Sequence, residues 1–348
     1  SELANEHPTP FWVVFPRAAQ ARYFELMDVF QKVAKHVRIF YSVKTNPHTA
    51  FIQSLSKMES GFECVSLREL QLVEAFTAPK IFNSCASSDE EVQLALNQHA
   101  FIIIDSISQA EQVARLALTQ KPLSVGLRVR MDTHRFGVSP AEVKGMIETL
   151  AQMGLNVTLL HTHPGTNCSV SQYRNFISRV AGLVQDLPSI TALDLGGGFP
   201  GKTSLMERKE GLESYAEIIQ EQLGDFLKTL SLYLESGRFL VEDAMILVTK
   251  VMHIKKIEGQ HFALLDSGIN VLPRIAMSPF RFFALTEKGE TKTNFRLGGP
   301  LMFGSDEFGQ IHGKLAQGDL IGVENVGAYC TEFAWKLSRD LPKLIVVE

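Results

Sequence analysis

Cysteine is scarce and scattered: there are four in 348 residues, at positions 64, 85, 168 and 330, and no CxxC pair. That spacing excludes a disulfide-stapled scaffold and a cluster of paired zinc thiolates, and reads as isolated reduced thiols. Long apolar runs are missing too. The longest, such as 11–15 and 100–104, fall far short of the roughly 20 residues that a membrane span needs, so no membrane partner is expected. No basic, apolar and small-residue stretch opens the sequence, which makes a cytoplasmic location the expectation. Neither charge sign is in excess: 34 Lys and Arg against 38 Asp and Glu give a formal net charge of −4, which argues against nucleic acid as a partner. With 45% hydrophobic and 21% charged residues the chain is globular in composition. Its length allows one large domain and a smaller one, because single cores stop growing near roughly 250–300 residues.

Short β-rich apolar runs recur with helix-like stretches between them, the pattern of βα units around a parallel sheet. Eight runs fall at 38–43, 62–65, 80–82, 101–104, 124–129, 157–161, 191–195 and 231–234. Eight is the barrel number. Helices are predicted at 49–58, 67–76, 88–98, 108–119, 140–153, 169–187 and 211–228, with Ser88 and Glu91 spaced as a capping box. A helix near 16–35 would fill the remaining wall position. Beyond about 245 the pattern turns to strands at 245–257, 261–265, 282–286, 294–297, 319–324 and 343–347. The prediction is an α/β chain: a (β/α)8 barrel over 16–243, and a second, mostly β domain from 1–15 and 244–348.

Active sites of such barrels lie at the C-terminal ends of the strands. There the sequence places Lys44, Glu63 with Ser66, Asn83, Asp105, Arg128, His163, Gly196-Gly197-Gly198, and Glu235 with Arg238. Lys44 closes the run Ile39-Phe40-Tyr41-Ser42-Val43; it reads either as a snorkelling lysine or as an amine suited to Schiff-base chemistry. Three glycines after Leu193-Asp194-Leu195 give either a tight turn or a concavity of bare N–H groups that takes a phosphate. His161 and His163 alternate like metal ligands, but no third ligand lies at a usual spacing, and no metal is expected.

Six blocks then resemble the fold-type III pyridoxal 5′-phosphate (PLP) enzymes, in the branch of ornithine and diaminopimelate decarboxylases with their alanine-racemase type of barrel. They are Tyr41-Ser42-Val43-Lys44-Thr45-Asn46, Gly61 to Leu70, His163-Pro164-Gly165-Thr166, Asp194 to Pro200, Glu235-Ser236-Gly237-Arg238 and Gly327-Ala328-Tyr329. The resemblance implies PLP as cofactor, carried by Lys44. It implies a ring stacked on by His163, a ring nitrogen paired with Glu235, and a phosphate held by Thr166, Gly197, Gly198, Arg238 and Tyr329. Glu63, Glu69 and Arg128 would support the lysine. It further implies a homodimer with shared active sites, acting on a small amino-acid substrate. A carboxylate at the ring nitrogen makes the ring a strong electron sink, which favours decarboxylation over racemisation.

Two departures bear on the reaction. The family's Gly-Pro-x-Cys-x-x-x-Asp block stands here as Gly299-Pro300-Leu301-Met302-Phe303-Gly304-Ser305-Asp306. Met302 occupies the place of a cysteine that donates a proton to Cα, and a thioether has none to give. This keeps racemisation or other Cα chemistry as the alternative, with Cys330 as a nearby thiol or simply a buried one. Phe303 occupies the place of an acid that grips a distal amine, so a simple diamino acid is not the expected substrate. Arg274, in a block resembling Asp-x-Gly-Met-x-x-x-x-Arg, would take a distal carboxylate, or is a surface arginine. Met302, Phe303, Arg274 and Asp306 are the candidate substrate residues, and the expected activity is decarboxylation of an α-amino acid in a specialised biosynthetic pathway.

Overall fold

The computed structural model describes residues 2–120 and 122–348. They divide into two compact units: Gln20–Pro200 with Leu205–Gly237, and residues 2–19 with Gly201–Ser204 and Arg238–Glu348. Compared with the sequence boundaries, both ends of the barrel move inward; residue 1 lies outside the described residues. The C-terminal shift has a local cause. The last barrel strand ends at Ser236, and Arg238 opens a helix, Arg238–Val241, whose side chain bonds to Glu242, Ala276 and Ser278 of the second unit.

The larger unit is a closed barrel of eight parallel strands: Val37–Ser42, Gly61–Cys64, Lys80–Phe82, Phe101–Ile104, Leu123–Arg128, Leu155–His161, Ala192–Asp194 and Ser231–Ser236. The last strand pairs with the first and closes the ring. Parallel strands are covered on both faces, which is why each reads as an apolar run. Phe40, Ile81, Ile103, Leu159 and Ala192 form one buried cluster from five different strands. Serines open four of the helices. Ser66, Ser88, Ser106 and Ser169 each accept from the backbone N–H three residues on, answering one of the donors a helix start leaves unpaired. The N-terminal helix Pro16–Phe30 reaches Ser54 through Gln20 and Phe199 through Phe30. The helix predicted at 211–228 is Leu212–Leu223 followed by a short 3-10 turn, and a further helix, Lys202–Arg208, precedes it.

The second unit is an eight-stranded sheet. Phe11–Val14, buried along its whole length, pairs antiparallel with Met245–Ile257 and parallel with Lys343–Val346. One strand was not foreseen: Glu307–Gly313 pairs antiparallel with Thr293–Gly298. Its glycines at 309 and 313 weaken the alternating pattern that marks a strand. Among the described residues no helix is long and apolar enough to cross a membrane.

Candidate active site

Lys44 lies just past the first barrel strand, on a 3-10 turn Val43–Thr45 rather than on the strand itself. Its Nζ donates to Glu63 Oε2 at 2.5 Å and to Ser42 Oγ at 2.7 Å, and Ser42 Oγ donates to the same Glu63 oxygen. Strand register explains the meeting, since Ser42 pairs directly with Glu63. Glu69 caps the neighbouring turn by accepting from Val65 N–H at 2.9 Å. Burial first, and the charge of Glu63 second, push its carboxyl up to about 7.

A polar layer closes the next strands. Arg128, His161 and Asp194 stand opposite one another in register on three adjacent strands. Arg128 Nη1 donates to Asn83 Oδ1 at 3.1 Å, Asn83 Nδ2 lies 3.2 Å from His161 Nε2, and that nitrogen lies 3.2 Å from Glu235 Oε2. Burial alone would raise Glu235, but His161, by charge and hydrogen bond, and Lys44 outweigh it and hold the carboxyl down at about 2. Asp194 goes the other way: burial, then the charge of Glu235, push it well above the carboxylate range, against the N–H of Gly196 that it accepts at 2.8 Å.

His163 sits beyond the strand end. Its Nδ1 accepts from Gly165 N–H at 3.0 Å, which leaves the ring proton on Nε2. Burial pulls its pKa down to about 3, so the ring is neutral. It packs along the glycine block, where a Cβ added to Gly196 would lie 2.7 Å from His163 Cδ2. Gly198 has a φ of +87°, and a side chain there would run into the carbonyl of Gly165; one at Gly197 would run into the carbonyl of Glu235. Only bare backbone fits this cradle. Thr166 is exposed at its edge.

These residues fit PLP. Glu235 is buried, and its Oε1 finds no hydrogen-bond partner, as expected of an oxygen built to face a protonated ring nitrogen. The glycine cradle suits a phosphate. Lys44, Glu63, Glu69, Arg128, His163, Thr166, Gly197, Gly198 and Glu235 all belong to the barrel unit.

The remaining sequence-predicted residues belong to the second unit. Arg238 is buried, donating to Glu242 Oε1 and Ala276 O at 2.7 Å and to Ser278 Oγ at 2.9 Å, with its guanidinium 5.3 Å from the Tyr329 ring centre. This differs from a guanidinium held open for a phosphate: it braces its own unit. Tyr329 adopts a φ of +65°, a strained backbone for a residue with a side chain. Asp306 also departs from expectation. Its oxygens accept from Ile269 N–H and Leu301 N–H, both at 2.8 Å, so this buried carboxylate ties its loop rather than facing a substrate. The loop it ties exposes Met302, 98% accessible, and Phe303. Arg274 is exposed and donates to the Glu307 carbonyl. Cys330 is fully buried, and burial pushes its thiol well up.

Sequence reasoning missed His161 and Asp194 as working residues. The available signal was that both close adjacent strands at the same level as Arg128; what it lacked was the meeting of residues 161 and 235.

The family described as pyridoxal-dependent decarboxylase, pyridoxal binding domain, matches residues 21–242. Diaminopimelate decarboxylase of Haemophilus influenzae is 27% identical over 94% of this chain and 85% of its own length. That of Deinococcus radiodurans is 31% identical over 77% of this chain and 70% of its own. Among solved structures, diaminopimelate decarboxylase from Helicobacter pylori complexed with L-lysine superposes with a TM-score of 0.89, 23% identity, and coverage of 100% of this chain and 93% of that one. Lysine/ornithine decarboxylase complexed with cadaverine from Vibrio vulnificus gives 0.84 at 22% identity, covering 99% and 96%. The names of these relatives lend no support to the expectation that a diamino acid is excluded. The matches and the fit of the site meet in one conclusion: the chain belongs to the pyridoxal-dependent decarboxylases, and is a PLP-dependent carboxy-lyase acting on an amino acid.

Proposed function

We propose that the chain removes the α-carboxyl of an amino acid whose distal end carries a carboxylate, with diaminopimelate the first candidate, and that it works as a homodimer. The observation that carries the Cα chemistry is the buried Glu235 with its unanswered Oε1, held as an anion beside His161. PLP supplies the electron sink that makes loss of carbon dioxide from Cα accessible. The protein's own residues do the rest. Lys44 provides the amine that carries the cofactor, kept in place by Ser42 and Glu63. Glu235 holds the proton at the ring nitrogen, neutral His163 offers an uncharged face for the ring, and Thr166 with Gly197 and Gly198 cradles the phosphate. Within the second unit, Arg238 fixes the surroundings of Tyr329.

Two residues support the substrate reading. Phe303 puts an aromatic ring where a carboxylate would pair with a distal ammonium, and Arg274 is an exposed guanidinium suited to a carboxylate. Met302 has no proton to give, so the proton that replaces carbon dioxide at Cα comes from another donor. The loop bearing Met302 and Phe303 is tied inward by Asp306 and presents both side chains to the outside. It is read as the piece that completes the site of a second copy.

Carbon dioxide release from diaminopimelate, lysine, ornithine and glutamate by the PLP-loaded chain tests the substrate claim. Diaminopimelate is expected to exceed lysine and ornithine by about 100-fold in kcat/KM, the worth of one hydrogen bond to a charged group left unmade. Phe303→Asp should narrow that gap by improving lysine. Rapid turnover of lysine or ornithine by the unaltered chain would overturn the distal-carboxylate reading.

A further inference from the structure

Two carboxyl groups are buried together on the barrel floor, and the reading of Glu235 as the partner of the ring nitrogen needs one of them, and only one, to be charged. One ligand-type atom each from His161, Asp194 and Glu235 lie within 4.8 Å of one another, and all three residues are buried. Two carboxylates at that range in a dry site do not both ionise; one keeps a proton. The hydrogen bonds show which. Asp194 Oδ1 accepts from Gly196 N–H, whereas its Oδ2 is buried and accepts from no donor. An oxygen that itself carries a proton needs no donor. Glu235 Oε2, by contrast, faces His161 Nε2 at 3.2 Å. That nitrogen stands between Glu235 Oε2 and Asn83 Nδ2, and of these two neighbours the carboxylate alone can accept its proton, since an amide nitrogen only donates.

We propose that His161 and Asp194 are positioning residues that confine the negative charge of the barrel floor to Glu235: Asp194 remains a neutral acid donating a hydrogen bond to Glu235, and His161 donates to the same carboxylate through Nε2. The opposite displacements of the two carboxyl groups, Asp194 upward and Glu235 downward, agree with this division. The arrangement gives Glu235 two internal donors and leaves a lone pair of Oε1 for the ring nitrogen. Asp194 thus acts as a proton store that keeps a second negative charge out of the cofactor site. The inference rests on the assignment of Glu235 above.

The experiment uses the full chain loaded with PLP and labelled with 13C at aspartate carboxyl groups. Infrared spectra at neutral pH should show the stretch of one buried protonated aspartic acid, absent in Asp194→Asn. No such band, or a band that survives the substitution, overturns the proposal. Cofactor dissociation constants give a second measure. Asparagine keeps an N–H where the acid proton sits and alanine does not, so Asp194→Ala should bind PLP at least about tenfold more weakly than Asp194→Asn, the worth of one buried hydrogen bond. Equal weakening by both overturns it. Glu235→Gln separates the two levels of argument. An unchanged cofactor absorption spectrum in that variant removes the Glu235 assignment and this inference together, whereas a changed spectrum with no aspartic acid band removes this inference alone.

Discussion

At the scale of single residues, the catalytic floor is a set of charges placed by strand register and then adjusted by burial. Glu69 shows the cost. Its carboxyl is raised from the ordinary 4.5 to about 7 by burial and by the charge on Glu63. An unfolded glutamate releases its proton near 4.5 and the native one not until about 7, so the native chain holds the extra proton in between. Stability therefore falls as pH rises through that window, and the penalty, on the order of 3 kcal/mol, is fully present above it. Urea titrations at pH 5 and pH 8 should show this slope in the unaltered chain and its loss in Glu69→Gln, whose amide oxygen still accepts from Val65. An unaltered slope in Glu69→Gln would assign the dependence to another group. The legibility of the site at this scale was uneven. Lys44, His163, Gly197, Gly198 and Glu235 could be picked out as candidates because each sits in a local run with a recognisable chemistry. His161 and Asp194 were not, because a buried histidine or aspartate has meaning only against the group it faces, and that group lies on another strand.

At the scale of elements, the eight barrel strands were all readable, because strands covered on both faces cannot avoid being apolar. Two of the elements missed were short and of mixed polarity: Lys202–Arg208 lacks a helical apolar period, and Glu307–Gly313 is interrupted by glycine. Helix starts carry their own prediction. Glu91 closes the capping box with Ser88, accepting from Ser88 N–H at 2.8 Å, and its other oxygen accepts from Leu67 N–H at 2.9 Å, at the start of the neighbouring helix Leu67–Val73. One side chain thus serves two helix N-termini. Ser88→Ala should cost about 1 kcal/mol and Glu91→Ala about 2 kcal/mol in denaturant unfolding, with the carbon dioxide release rate unaltered in Ser88→Ala. Equal costs would show that the bond to Leu67 contributes nothing.

At the scale of the whole molecule, the proposed pairing of two chains makes a prediction that no single chain satisfies. Lys44→Ala lacks the cofactor amine but keeps an intact loop at 303; Phe303→Arg has the reverse defect. Each alone should be impaired. Mixed after dissociation and reassociation, they should recover about a quarter of the unaltered rate, since half the dimers are mixed and each of those rebuilds one complete site. No recovery, with sedimentation showing mixed dimers, would mean that each chain builds its site alone.

The strand Phe11–Val14 has a consequence for the order in which the protein is made. It leaves the ribosome ahead of both of its partners, and all four of its side chains are buried in the finished fold. Yet its partners, Met245–Ile257 and Lys343–Val346, follow it along the chain only after long intervals. At about 5–20 residues per second, the strand waits on the order of 10 s or more for its first partner. The barrel, finished by residue 236, can close during that interval. Nascent chains of this protein therefore carry an apolar, unpaired strand through most of the interval in which the barrel is made, a segment open to wrong pairing.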